Sequence, residues 1–152
     1  MKTIEDLKDK NSAEADALAF FYQGFNTGDL GLLRESWSNS EAAIMSNPLG
    51  GILKGWQSIE QLYQRLFSGP LNVHVDFYDI ELTQWQGGFL AVGREKGEVQ
   101  WQDKKVILEI RTSRFFIFDD KNKQYRQLHH HGSIESPSML ADYQNLVKLV
   151  NN

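Results

Sequence analysis

Apolar positions along this chain change their period part of the way through. In the first half they recur at helical spacing. Ser12 can cap a helix whose apolar positions include Ala17, Phe20, Phe21 and Phe25. Asn26-Thr27-Gly28-Asp29 stops it: Gly28 suits a left-handed C′ position, and Asp29 can cap a second, short helix bearing Leu30, Leu32, Leu33 and Trp37. Residues 41–46 predict a short strand, and Asn47-Pro48-Leu49-Gly50-Gly51 a turn. A third helix begins near Gly55. Its Ile59, Leu62, Tyr63 and Leu66 fall at i, i+3, i+4 and i+7, and Ser68-Gly69-Pro70 ends it. Beyond Leu71 the pattern becomes strand-like, in four runs at 71–83, 89–99, 106–118 and 124–134, with Gly93 marking a bend or bulge. Ser136-Pro137 opens a final helix with Leu140, Tyr143, Leu146, Val147 and Val150 on one side. Residues 1–11 read as a frayed, charged lead-in.

Helices at the front and long strands behind define an α+β chain. The expected architecture is a single domain over residues 1–152. Three N-terminal helices pack in the concave side of a cone-shaped, curved, mostly antiparallel sheet, and a concave apolar space of this kind is a default ligand site.

Composition narrows the partners. The chain has 152 residues, 41% of them hydrophobic, and a net charge of −4 with no stripe of Lys or Arg. Nucleic acid is therefore not an expected partner, because phosphate binding needs clustered positive charge. There is no cysteine, which removes thiolate chemistry and fits a reducing compartment. With no secretory leader and no apolar run long enough to span a bilayer, a cytoplasmic protein without membrane contact is expected.

The candidate chemistry lies in the last two strands. Strict alternation puts Leu108, Ile110, Thr112, Arg114, Phe116 and Phe118 on one face of the third strand. A guanidinium on that largely apolar face needs a carboxylate, carbonyls or an anionic ligand. Arg114 is thus either an anchor for a small, polar or carboxylate-bearing ligand or the partner of Asp76, Asp79 or Glu81. In the fourth strand the same alternation groups Gln127, His129 and His131 facing inward and sends His130 outward. Two imidazoles at i and i+2 can line a pocket, move protons as an acid and base, or serve structural hydrogen bonds. A metal would need a third ligand, and no metal or other cofactor is expected. Asn47 is a turn former or a neutral pocket donor. Tyr22, Trp56 and Tyr63 are expected as pocket or core lining.

Three motifs, in order, carry a resemblance: "FYQGFNTGDLGLLRESW", "NPLGGILKGWQSIEQLYQRL" and "TSRFFIFDDKNKQYRQLHHHGS". Together they resemble the nuclear transport factor 2-like superfamily, which includes ketosteroid isomerases, SnoaL-like cyclases and the association domain of calcium/calmodulin-dependent kinase. The last motif is closest to the association-domain branch. The resemblance implies a cystatin-like roll and a homodimer through the outer sheet face, where Ile107, Phe115 and Ile117 would be covered. It does not carry over isomerase chemistry. Asn47 stands where the family's isomerases have their general base, and Phe21 and Arg114 stand at the oxyanion-hole positions. What it leaves is a SnoaL-like small-molecule binder, a cofactor-independent isomerase, lyase or cyclase using His129 or His131, or a module for oligomerisation alone.

Overall fold

The computed structural model describes residues 1–151. In chain order the elements are α1 (Ile4–Leu7), α2 (Ser12–Thr27), α3 (Leu30–Ser36), β1 (Ile44–Ser46), β2 (Leu53–Lys54), α4 (Trp56–Ser68), β3 (Asn72–Trp85), β4 (Gly88–Trp101), β5 (Lys104–Asp119), β6 (Gln124–Ile134) and α5 (Pro137–Asn151). The six strands form one curved sheet in the order β2-β1-β6-β5-β4-β3, antiparallel except where β1 runs parallel to β6. The α+β architecture expected from the sequence is the one observed. β2 is too short to show a period, and the sequence reading did not contain it.

Local chemistry accounts for most boundaries. Gly28 sits at φ 67°, the left-handed cap that ends α2, and the Asp29 carboxylate accepts from the Leu32 amide to start α3. Asn11 rather than Ser12 precedes the first turn of α2. The buried stripe of α2 runs through Ala15, Leu18, Phe21 and Tyr22, so it is rotated from the one centred on Phe20. Pro137 takes the first position of α5, and Ser136 Oγ accepts from the Met139 amide.

The lead-in is ordered, which corrects the expectation of fraying. Thr3 and Asp6 form a reciprocal capping box around α1, and Leu7 is buried. The Lys2 carbonyl accepts from the Ile80 amide, and Thr3 bridges to Tyr78. This segment docks where β3 breaks register between Tyr78 and Glu81. Gly93, on the partner strand, explains the tight approach: a Cβ there would lie 2.8 Å from the Tyr78 carbonyl oxygen and 3.0 Å from the Phe77 ring.

Alternation in β5 is as expected. Leu108, Ile110, Thr112, Arg114 and Phe116 are buried on the concave face. Alternation in β6 is not. Phe115 pairs with His129 and Phe116 with Gln127, so Leu128 is an extra residue in a β-bulge. The bulge reverses the parity of everything after it. Gln127 and His130 are buried, while His131 is exposed. The inward placement of His129 and His131 is therefore corrected: His130 faces the cone. The β6 strand contains one residue more than a regular ladder would, and a period-two count cannot detect it.

Helix α5 packs against β5 and β6, with Tyr143 at the cavity. Tyr143 and Leu146 are buried, the Glu109 amide meets Met139 Sδ at 3.2 Å, and Gln144 Nε2 donates to the Leu49 carbonyl at 3.3 Å. Among the described residues no helix is long and apolar enough to cross a membrane.

Candidate functional site

Inside the cone lies a cavity of about 130 Å³. Its walls are apolar, built from α2 (Phe21, Phe25), α4 (Leu62, Leu66) and the concave faces of β3 and β5 (Val73, Val75, Leu108, Ile110). Its polar groups are Asn47, Tyr63, Glu95, Arg114, His130 and Tyr143. A second pocket of about 190 Å³ shares Leu49, Leu62, Leu66 and Tyr143 with it, so the two adjoin between α4 and α5. A larger groove of about 590 Å³ runs outside, between α5 and the start of β5. It is lined chiefly by exposed and half-buried side chains, and the concave cavity is where the buried polar groups converge.

Arg114 dominates the floor. It is 3% exposed, and three of its nitrogens are engaged. Nη2 donates to Glu95 Oε1 at 2.9 Å, Nη1 to Gln127 Oε1 at 2.6 Å, and Nε to the Tyr22 hydroxyl at 3.0 Å. The Tyr22 hydroxyl in turn donates to Glu95 Oε1 at 2.7 Å. Beneath the guanidinium lies the Phe21 ring, 3.9 Å from Cζ to the centroid, a cation–π contact. Burial alone would lower the Arg114 pKa, but the Tyr22 hydroxyl and the Glu95 carboxylate more than offset it and hold the proton more firmly than usual. Burial pushes the phenols of Tyr22 and Tyr63 upward and that of Tyr143 to about 12, so all three remain protonated.

Arg114 is thus paired within the chain, by Glu95 and not by Asp76, Asp79 or Glu81. Sequence reasoning missed Glu95. The signal was present: in Phe89, Ala91, Gly93, Glu95, Gly97 and Val99, the alternating inner positions of β4, it is the lone charge among apolar and small residues. The small neighbours leave room above the strand for Tyr22, Phe77 and the guanidinium.

His130 is the cross-strand neighbour of Arg114, and Met45 flanks it on β1. It is 7% exposed and lines the cavity, and neither ring nitrogen has a hydrogen-bond partner among the described residues. Burial, and then the Arg114 charge, hold its pKa well below the ordinary imidazole value, so the ring is neutral.

The other expected site residues divide. Asn47 and Tyr63 line the cavity; Asn47 also makes the turn, its Oδ1 accepting from the Leu49 amide. Tyr22 and Gln127 lie beneath the floor and hold Arg114. Trp56, expected as pocket or core lining, is core and does not reach the cavity: it is the first residue of α4 and packs beside Trp37, 6.3 Å between ring centroids. His129 turns outward, and its Nδ1 donates to the Ile44 carbonyl at 2.8 Å, a strand-to-strand staple. His131 borders an outer-face groove with Arg94, Arg111 and Ser133.

A curved, unclosed sheet wrapped around helices, with the ligand-sized space inside the cone, defines a protein of the cystatin-like, nuclear transport factor 2-like class. Within that class the chain belongs to the SnoaL-like domain family, whose model matches residues 15–137. Solved structures agree in fold. A calcium/calmodulin-dependent kinase II hub from S. rosetta is 12% identical with a TM-score of 0.70, covering 81% of this chain and 95% of that one. A nuclear transport factor 2-like protein of unknown function in nutrient uptake from Rhodospirillum rubrum is 17% identical (TM-score 0.68, 80% and 98% covered). An uncharacterised cystatin-like protein from Caulobacter vibrioides is 16% identical (TM-score 0.68, 92% and 99% covered). No curated protein matches the sequence.

Proposed function

We propose that this chain is a small-molecule binding protein whose ligand occupies the conical cavity, its apolar body against α2, α4 and the sheet and its polar end on the Arg114–Glu95–His130 floor. The observation that supports this best is the combination of a largely apolar space inside the cone with a buried imidazole that has no partner among the described residues. Size sets the class of ligand. A cavity of order 150 Å³ accepts benzene, and the space here is about 130 Å³. A ring-sized molecule fits, and anything longer would extend past Leu49 and Tyr143 into the adjoining pocket. A ligand that binds only the folded chain raises its apparent stability, by about 2.7 kcal/mol at one hundred times Kd. The test is a thermal-shift screen of single-ring compounds against the wild type and Leu66→Trp, which fills the cavity. Stabilisation of the wild type alone supports the reading; equal responses in both place binding elsewhere and defeat it.

A second reading concerns assembly. The outer sheet face leaves Trp85, Val92 and Ile107 exposed, with the Phe115 ring 5.0 Å from Trp85. Exposed apolar side chains on an outer sheet face favour a homodimer, and structures of similar fold are described as a kinase hub and as kinase association domains. Binding and pairing use opposite faces of the sheet and are compatible.

A further inference from the structure

Resting on the binding reading above, we propose that His130 is the hydrogen-bonding anchor of the cavity, and that the molecule it takes is an uncharged, ring-sized compound bearing a hydroxyl group, such as a phenol or cyclic enol. Charge comes first. Among the described residues, Glu95 and Arg114 are the charged side chains lining the cavity, and they neutralise each other across 2.9 Å. A carboxylate ligand would bring a second anion beside Glu95 with no cation left over, and an ammonium would meet Arg114. Either charge would be desolvated without compensation. The floor therefore selects against both, including the carboxylate that Arg114 alone would suggest.

Hydrogen-bonding capacity then chooses among neutral molecules. A neutral imidazole presents one acceptor and one donor nitrogen, and both are unpartnered in His130. A guanidinium has five N–H donors, and Arg114 spends three of them on Glu95, Gln127 and Tyr22. The polar groups left around the cavity therefore include an acceptor on His130 with donors close by. A hydroxyl matches that set, because its proton can go to the imidazole while its oxygen accepts from a neighbouring N–H. A purely apolar ring would leave the imidazole unsatisfied and forgo the preference that a buried hydrogen bond confers. Position agrees: His130 lies directly across from Arg114 on the adjacent strand, a separation over which one small polar group can touch both side chains.

The experiment compares phenol, toluene and benzoate by titration calorimetry at pH 7.5, on the wild type, His130→Phe and His130→Gln. The expected result is that wild type binds phenol about tenfold or more tightly than toluene, the ratio that corresponds to one hydrogen bond, and benzoate more weakly than phenol. In His130→Phe phenol should fall to the level of toluene, whereas His130→Gln, whose amide oxygen can still accept a hydrogen bond, should keep part of the preference. A change in the His130 ring nitrogen resonances on adding phenol to the wild type gives the same answer should a variant not fold. Equal binding of phenol and toluene, tighter binding of benzoate, or ring nitrogens unmoved by bound phenol would overturn the inference while leaving a binding cavity intact. No binding by any of the three overturns both the inference and the reading beneath it.

Discussion

Arg114 and His130 are directly paired across β5 and β6, both buried on the concave face, yet they are opposites in hydrogen bonding. The guanidinium has a carboxylate, an amide and a phenol around it; the imidazole has none of these. One side chain is part of the scaffold and the other is available.

The scaffold role can be measured. Arg114→Met leaves the Glu95 carboxylate buried without its cation, and breaking such a pair costs about 3–5 kcal/mol. The double variant Arg114→Met/Glu95→Leu should recover most of that loss, because replacing both partners with apolar groups is far less costly. Urea denaturation of the four proteins in the cycle gives the coupling directly. Single losses that simply add in the double variant would show that the pair contributes no mutual stabilisation.

His130 should make stability depend on pH. Its folded pKa lies below its unfolded value of about 6.5. The unfolded chain therefore binds the extra proton first as pH falls. Stability is full above about pH 6.5 and declines below it, by at most about 1.4 kcal/mol per pH unit for one proton. The charged and titratable groups around the ring, Arg114, Glu95, His129 and His131, are common to wild type and variant. The difference in unfolding free energy between wild type and His130→Gln from pH 7.5 to 5 thus isolates this imidazole. Parallel curves would mean that His130 takes up its proton in the folded chain.

Asn26 should matter more than its place in a helix-ending motif indicates. Its side chain donates to the Val75 carbonyl at 2.9 Å and accepts from the Val75 amide at 3.0 Å. Since β3 is the sheet edge, the side-chain amide acts as a short stretch of missing neighbour strand. Asn26→Ala leaves both backbone groups without that partner, and a loss of about 1–3 kcal/mol in denaturant is expected. A loss below about 0.5 kcal/mol would mean that water replaces the amide at little cost.

Pairing through the outer face predicts an effect of one exposed residue. Val92 lies on that face of β4, opposite Ser113, and is 43% exposed. Val92→Glu should leave the fold intact, since the side chain makes little of the monomer's core. Sedimentation equilibrium should then change from twice 17.5 kDa to 17.5 kDa. A wild type already at the monomer mass would remove the assembly reading.

The fold was legible because its signals are local. The stripe Ile59, Leu62, Tyr63 and Leu66, the Gly28 cap and the β5 alternation each depend on near neighbours in sequence, and each appears as expected. The site was less legible because it depends on pairings between strands. Glu95 and Arg114 are nineteen residues apart and meet only when β4 and β5 are in register. Trp56 satisfies the same apolar pattern as Tyr63 but lies at the start of α4, where it packs on Trp37 just past α3. The lead-in looked unstructured because its charge outweighs Ile4 and Leu7, while its order comes from docking on the irregular edge of β3.

Leu128 separates a residue's number from the side it faces. Without the bulge, a regular β6 would set His129 opposite Arg114 and His131 opposite Thr112, giving two imidazoles in the cone instead of one. A chain one residue shorter here, by loss of Leu128, would still present His130 to Arg114. A deletion is thus neutral for the cavity, whereas straightening the strand at constant length would exchange its chemistry. Relatives should therefore be compared by what faces their equivalent of Arg114, and not by counting histidines along the strand.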